Sequence, residues 1–423
     1  MTRHALKVKD KKNKLWRIQK ETGDIIDKGR FSRCASDLRK LTRKLQENHE
    51  CGIAANAKKH PKAFWRYVNS RLKSRSKIED LRNDLGILES DDVEKSQLLN
   101  KYFASVFTVE DTTVLPDFET RYNGPPVERI QFTPHMVEDK LKKIKTDSSP
   151  GPDLLHPRVL AETASTIHDA ASCLFQKSLD TGTLPQAWKL GNIVPIFKKG
   201  DKQEAGNYRP VSLTSVLCKT MESLIRDALL SHFTMNNLLS NNQHGFRPKR
   251  SCDIQLLEVL EEWTQSLEHK IPIDSVYLDF RKAFDAVPHK RLLKKLEGYG
   301  VHGQLLQWIR SFLTGRQQRV MVGSSVSEWV PVTSGVPQGS VLGPLLFLAF
   351  INDLPDVVQS RMKIFADDTK LYRCIDSQNA QGSLQNDIRA VCEWSDRWQL
   401  PFNSGKCAVL HLGNRNALAM CIH

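Results

Sequence analysis

Two adjacent aspartates, Asp367 and Asp368, interrupt the run IFADDTKLY (364–372), which is otherwise apolar and strand-forming and therefore a costly place for two negative charges. A third, Asp279, closes the run SVYLDF 88 residues earlier, so only folding can bring the three together. Carboxylates gathered closely repel, and either a proton or a cation must join them. Hard oxygen donors with no His or Cys beside them point to Mg²⁺, which takes one or two carboxylates and fills its shell with water and substrate phosphates. Such a site suits two-metal phosphoryl or nucleotidyl transfer, in which one ion activates a 3′-hydroxyl and the other stabilises a pyrophosphate leaving group. A plain polar β-turn would also favour Asp in ADDT for its local hydrogen bonds, so the surrounding pattern must decide.

The elements that would position these acids follow from periodicity. MKIFADDTKLY reads as a hairpin with the acids at its tip, DSVYLDF as a strand able to pair beside it, and QRVMVG with SEWVPVTSG as a second strand pair. If DSVYLDF lies beside the hairpin, the carboxylates meet on one edge of the sheet. NIVPIFKKG reads as a strand and NYRPVSLTS as a turn. TPHMVEDKLKKI, RVLAETASTIHDAASCLFQKSL, VLCKTMESLIRDALLSHF and CDIQLLEVLEEWTQSLEH carry helical spacing around the loops SSPGPDLLHP and SNNQHGFRPKRS. This is an α+β pattern with antiparallel strands. His156 and His244 sit in polar loops and read as ordinary loop histidines.

The 423 residues, 40% of them hydrophobic, suffice for a packed core and two or three domains. The net charge of +14 is unevenly spread: residues 1–77 hold 23 Lys/Arg against 7 Asp/Glu, and residues 78–423 hold 39 against 41. A basic arm of this kind suits a polyanion such as nucleic acid, although a set of solvated helical faces would read the same way. Its helical stretches are RCASDLRKLTRKLQENHE and PKAFWRYVNSRLK, followed by KSQLLNKYFASVF and a Pro-, Thr- and Asp-rich linker, EDTTVLPDFETRYNGPPVE. The nine cysteines are scattered, without zinc spacing or a C-x-x-C pair, as expected of reduced thiols in an intracellular protein. No apolar stretch reaches membrane-spanning length and the N-terminus lacks an apolar signal region, so neither insertion nor secretion is expected.

Taken in order, the segments resemble the reverse transcriptase of non-LTR (LINE) retrotransposons, most closely the jockey-like and chicken-repeat-like lineage, over about residues 95–415. SSPGPDLLHPRVL resembles the extended fingers motif, and NIVPIFKKGD with NYRPVSLTSVLCKTMESLI the two blocks that follow. QHGFRPKRSC comes next, then VYLDFRKAFDAVPH, similar to the palm motif with the first catalytic aspartate. TSGVPQGSVLGPLLFLAFINDL is similar to the template- and nucleotide-contacting block, FADDTKLY to the catalytic pair, and WQLPFNSGKCAVLHLG to the end of the palm.

The resemblance implies a right-hand polymerase fold. Its expected parts are a basic, mostly helical N-terminal region with linker at 1–125, fingers at 126–273 and palm at 274–423, with the thumb truncated after HLGNRNALAMCIH. It implies Asp279, Asp367 and Asp368 as catalytic acids holding two Mg²⁺, with Mn²⁺ as a substitute, and Lys406 as general acid for pyrophosphate. Phe284 would pack against the sugar and exclude a ribonucleotide 2′-hydroxyl, and RNA template, DNA primer and dNTPs would be the partners. From their own chemistry, Arg209 is a candidate for bidentate grip on the triphosphate, and Lys198 and Lys199 for point-charge contact with it. Gln338 and Gly339 form a tight turn before a helix, where Gly admits close backbone approach to a base pair. Location inside the cell, nuclear or cytoplasmic, is left open. Two rivals share part of the pattern. A non-catalytic nucleic-acid-binding remnant would fit the short C-terminus, and an intron maturase would need a basic helical C-terminal domain that the sequence does not show. No acidic cluster for a separate endonuclease or RNase H is evident.

Overall fold

The computed structural model describes residues 3–58, 64, 67, 78–377 and 379–413. The chain divides into two compact units, Met1–Lys77 and Ile78–His423, at the position where the basic excess ends. In the first unit, helices Arg3–Thr22 and Ile25–Ala55 pack side by side. The turn between them has Gly23 at φ 64, and Asp24 caps the second helix by accepting from the Ile26 amide. Most of PKAFWRYVNSRLK lies outside the described residues, as do residues 414–423.

The second unit carries the expected α+β architecture. A short hairpin, β1 (Leu81–Arg82) and β2 (Leu88–Glu89), precedes helix Asp92–Ser105. One sheet is built from β3 (Leu190–Phe197), β4 (Tyr208–Leu213), β6 (Arg316–Val322), β7 (Ser325–Val326) and β8 (Val330–Val332), in the order β4-β3-β6-β7 with β8 also on β6. The other combines β5 (Ile273–Leu278), β9 (Arg361–Phe365), β10 (Asp368–Cys374) and β11 (Ala408–Leu412), in the order β11-β5-β10-β9. All the pairings are antiparallel except β3 with β6, which is parallel. That exception joins strands more than a hundred residues apart, which no local pattern reports. NYRPVSLTS, expected as a turn, forms strand β4. Its Pro210 is tolerated because β4 is an edge strand, where the missing amide costs no ladder bond.

The core lies where helices cover these sheets. Helix Gly343–Ile351 (GPLLFLAFI) is apolar on every face and accordingly central, with eight residues buried. Each large side chain among them contributes on the order of 1.5–3 kcal/mol by leaving water. Helices His289–Gly298, Gly303–Leu313, Val216–Met235 and Ala380–Trp398 present apolar stripes to the same core. A smaller cluster, including Leu99, Phe103, Ile193 and Val320, fixes helix Asp92–Ser105 to the first sheet. The irregular segment 107–132 runs along this unit: the Glu110 carboxylate accepts from the Lys290 and Arg291 amides, and Phe118 packs on Tyr299 and Trp398. Lys295, wholly buried against Trp398 and Trp394, donates to the Phe350 carbonyl and to Asp353, and burial pushes its pKa down to about 8.

Candidate active site

β5 pairs antiparallel with β10, Leu278 opposite Thr369, and so carries Asp279 to the edge where the β9–β10 turn holds Asp367 and Asp368. The hairpin forms as expected, but its two-residue tip is Ala366–Asp367, and Asp368 opens β10 in a pair with Phe365. Beyond β5 the chain is fixed by segment 401–403: the Asn403 amide donates to the Asp279 carbonyl at 2.7 Å, the Arg281 amide donates to the Pro401 carbonyl, and Phe280 stacks on Phe402 at 4.4 Å. The same segment delivers Lys406, whose Nζ donates to Asp279 Oδ2 at 3.1 Å.

A cavity of about 720 Å³ opens over this edge. Asp279, Asp367, Lys199, Arg209, Phe284, Gln338, Gly339 and Lys406 all line it, together with Lys198 and Lys282. Asp368 faces a neighbouring cavity of about 550 Å³, which Asp279, Lys199 and Lys406 also border. Every site residue expected from the sequence therefore borders one of two adjoining spaces.

The electrostatics fit an anionic ligand. The Arg209 side chain is exposed and its guanidinium makes no hydrogen bond or ion pair among the described residues, while its backbone pairs with Ile196 of β3. Burial lowers the Lys198 and Lys282 pKa values, and the neighbouring cations lower them further. Burial raises the Asp367 pKa, and the charges of Asp368 and Asp279 push it the same way. Cations crowding one another beside carboxylates crowding one another leave room for phosphate on one side and a metal ion on the other.

The shape is equally specific. Gly339 sits at φ 108, and a Cβ there would lie 2.7 Å from the Ser212 carbonyl oxygen, so only glycine fits this turn against β4. The Ser212 amide donates to the Gln338 carbonyl at 2.8 Å, while the Gln338 side-chain oxygen is buried without a partner. Phe284 stacks on Phe347 at 4.5 Å and meets the edge of Phe246, giving the cavity an aromatic wall.

Several residues here were not anticipated. Glu222, 1% exposed, accepts from the Val341 and Leu342 amides at 2.7 and 3.1 Å and anchors the chain just after the Gln338–Gly339 turn. Asp285 borders the same cavity, with burial raising its pKa to about 6; an acid six residues after Asp279 was its only sequence signal. His156 caps helix Pro157–Glu162 by accepting from the Arg158 amide at Nδ1. His244, 1% exposed, is no surface loop histidine: its amide donates to the Ile364 carbonyl of β9, and its ring lies 3.4 Å from Glu258.

Residues 196–418 match the family model for reverse transcriptase (RNA-dependent DNA polymerase), which covers more than half of the chain. The chain belongs to the reverse transcriptase family. Several of its curated relatives are named as RNA-directed DNA polymerases of mobile elements or transposons. It is 32% identical to the RNA-directed DNA polymerase from mobile element jockey of Drosophila melanogaster over 66% of this chain and 31% of that one. With the jockey polymerase of Drosophila funebris it shares 28% identity over 95% of this chain and 46% of the relative. With the probable RNA-directed DNA polymerase from transposon BS of Drosophila melanogaster it shares 27% over 96% and 47%. The chain thus spans about a third to a half of the length of these relatives. The expected resemblance to jockey-like reverse transcriptases holds. Among the described residues no helix is long and apolar enough to cross a membrane.

Proposed function

We propose that this chain is an RNA-directed DNA polymerase that extends a primer 3′-hydroxyl with dNTPs on an RNA template. The observation that carries this reading is the cavity that Asp279 and Asp367 line together with Arg209, Lys198, Lys199, Lys406 and the Gln338–Gly339 turn. In the reaction, the primer 3′-hydroxyl gives up its proton to solvent, its oxygen bonds to the α-phosphorus, the bond from that phosphorus to the bridging oxygen breaks, and pyrophosphate leaves.

Arg209 and the two lysines hold the triphosphate, Arg209 because its guanidinium is unpaired and open to the cavity. Gln338 and Gly339 lie against the nascent base pair, and Phe284, braced by Phe347, fills the space a 2′-hydroxyl would need. Lys406 leaves its contact with Asp279 when phosphate arrives and gives a proton to the departing pyrophosphate.

Reverse transcriptases generally use divalent metal ions, and the donor set here fits Mg²⁺: oxygen only, with carboxylates whose mutual repulsion a cation would relieve. Among the described residues no three His, Cys, Asp or Glu side chains converge on one point, so two ions held by Asp279, Asp367 and Asp368 would complete their shells with water and substrate phosphate. When bound, they would polarise the attacking hydroxyl and neutralise the leaving group. The right-hand assignment takes residues 126–273 as fingers and 274–423 as palm, with β6–β8 crossing back to complete the first sheet. Residues 1–125 then form the basic N-terminal region. Primer extension by the purified chain, with Asp367→Asn as control, tests the reading.

A further inference from the structure

The catalytic hairpin tip carries a conformational problem. Ala366 stands at φ 58, a left-handed conformation that an alanine resists, and its backbone groups lie at the end of the β9–β10 ladder. A residue 124 positions away from Asp367 answers both difficulties. The buried carboxamide of Gln243, 2% exposed, accepts from the Ala366 amide at Oε1 (2.9 Å) and donates from Nε2 to the Ala366 carbonyl (3.2 Å). One planar side chain thus grips both polar groups of the strained residue.

The grip is itself held. Gln243 Oε1 also accepts from the Gly245 amide at 2.7 Å. The Ile364 amide donates to the Asn242 carbonyl and the His244 amide to the Ile364 carbonyl, each at 2.8 Å, so Gln243 is held against β9 by a parallel β-bridge to Ile364. Arg247 donates to the Gln243 carbonyl from the far side. A Cβ on Gly245 would lie 2.3 Å from the Ala366 nitrogen, which places the two backbones in direct contact.

We propose that Gln243 is a positioning residue of the polymerase, clamping the Ala366–Asp367 turn so that the Asp367 carboxylate stays where metal and triphosphate require it. The inference rests on the function proposed above. Asparagine is too short to reach both groups from the same backbone position. Glutamate loses the donor and sets a buried negative charge against the Ala366 carbonyl, next to the turn that carries Asp367. Partners that orient a metal-ligating group typically matter 10- to 100-fold in metal affinity or activity, so about a tenfold loss of Mn²⁺ affinity is expected of Gln243→Glu. Catalytic efficiency should fall by about 100-fold, as for a reacting group displaced by about 1 Å.

Three readouts on the full chain, comparing wild type, Gln243→Glu and Gln243→Glu/Ala366→Gly, test this. They are amide hydrogen exchange of the peptide spanning residues 364–369, Mn²⁺ affinity by titration calorimetry, and primer extension. The proposal expects faster exchange confined to that peptide and weaker Mn²⁺ binding. It also expects partial recovery of binding and extension in the double variant, because glycine takes up the left-handed turn without help. Unchanged exchange in Gln243→Glu overturns the clamp, whatever the activity. Faster exchange with wild-type Mn²⁺ affinity and extension overturns the positioning role and leaves a structural one. Should the wild type neither bind Mn²⁺ nor extend primers, the polymerase reading fails and the positioning role falls with it, while exchange still decides whether the clamp exists.

Discussion

Asp285 gives the account a quantitative test that does not require catalysis. Burial raises its carboxyl from the ordinary 3.8 to about 6, against the opposing pull of Lys282. The folded state therefore binds this proton more tightly than the unfolded state does. The resulting stabilisation is fully present below pH 3.8 and is lost as pH rises to about 6. A shift of about two pH units at about 1.4 kcal/mol each makes the ionised carboxylate cost the native state about 3 kcal/mol at pH 7. The side chain keeps partial access to the cavity, so solvent screening makes that figure an upper bound. Asp285→Asn removes the ionisation while keeping the shape. Its neighbours Ser334 and Gly335 contact the Asp285 backbone and not the carboxyl, so they should be undisturbed. Urea unfolding of both proteins from pH 4 to pH 8 should show nearly equal stability at pH 4. The variant's advantage should then grow to between about 1 and 3 kcal/mol by pH 6.5 and level off above it. A difference that stays constant across the range would refute the reasoning.

Other outcomes follow from the same geometry. Glu222→Ala strands two buried amides behind the Gln338–Gly339 turn and should cost about 2–3 kcal/mol in urea unfolding. Glu222→Gln keeps an acceptor and should cost less. Phe284→Val opens the wall that Phe347 braces and should raise ribonucleotide incorporation relative to deoxynucleotide by at least about tenfold in single-nucleotide extension assays. Deleting residues 1–77, where Lys and Arg outnumber Asp and Glu by 23 to 7, should flatten the salt dependence of RNA binding measured by filter retention. An unchanged slope would remove that unit from the binding surface.

What could be read in advance was local or strongly patterned. The pattern around the acid pair predicted the β9–β10 hairpin, and the apolar run ending in Asp279 predicted a strand able to pair beside it, so the placement of Asp279 at the edge that carries the Asp367–Asp368 turn followed from two short segments. Those helices with regular apolar spacing that lie among the described residues formed where expected, except that RVLAETASTIHDAASCLFQKSL breaks at Thr163 into two. What escaped was set by distant partners. β4 is a strand because β3 lies beside it, despite Pro210. The parallel pairing of β3 with β6, the Glu222 anchor and the Gln243 clamp each join positions more than a hundred residues apart. Nothing in NNQHGF signals that its glutamine will face the ADD turn, because the information lies in the approach of Gly245 to Ala366.

The central claim is that the acids gathered over this cavity perform nucleotidyl transfer, and primer extension tests it most directly. Wild-type chain, an RNA template with an annealed DNA primer, dNTPs and Mg²⁺ should yield extended product. Asp367→Asn should yield none while binding the same RNA with nearly unchanged affinity. Equal extension by the Asp367→Asn protein, or tight RNA binding by the wild type with no product, would contradict the account.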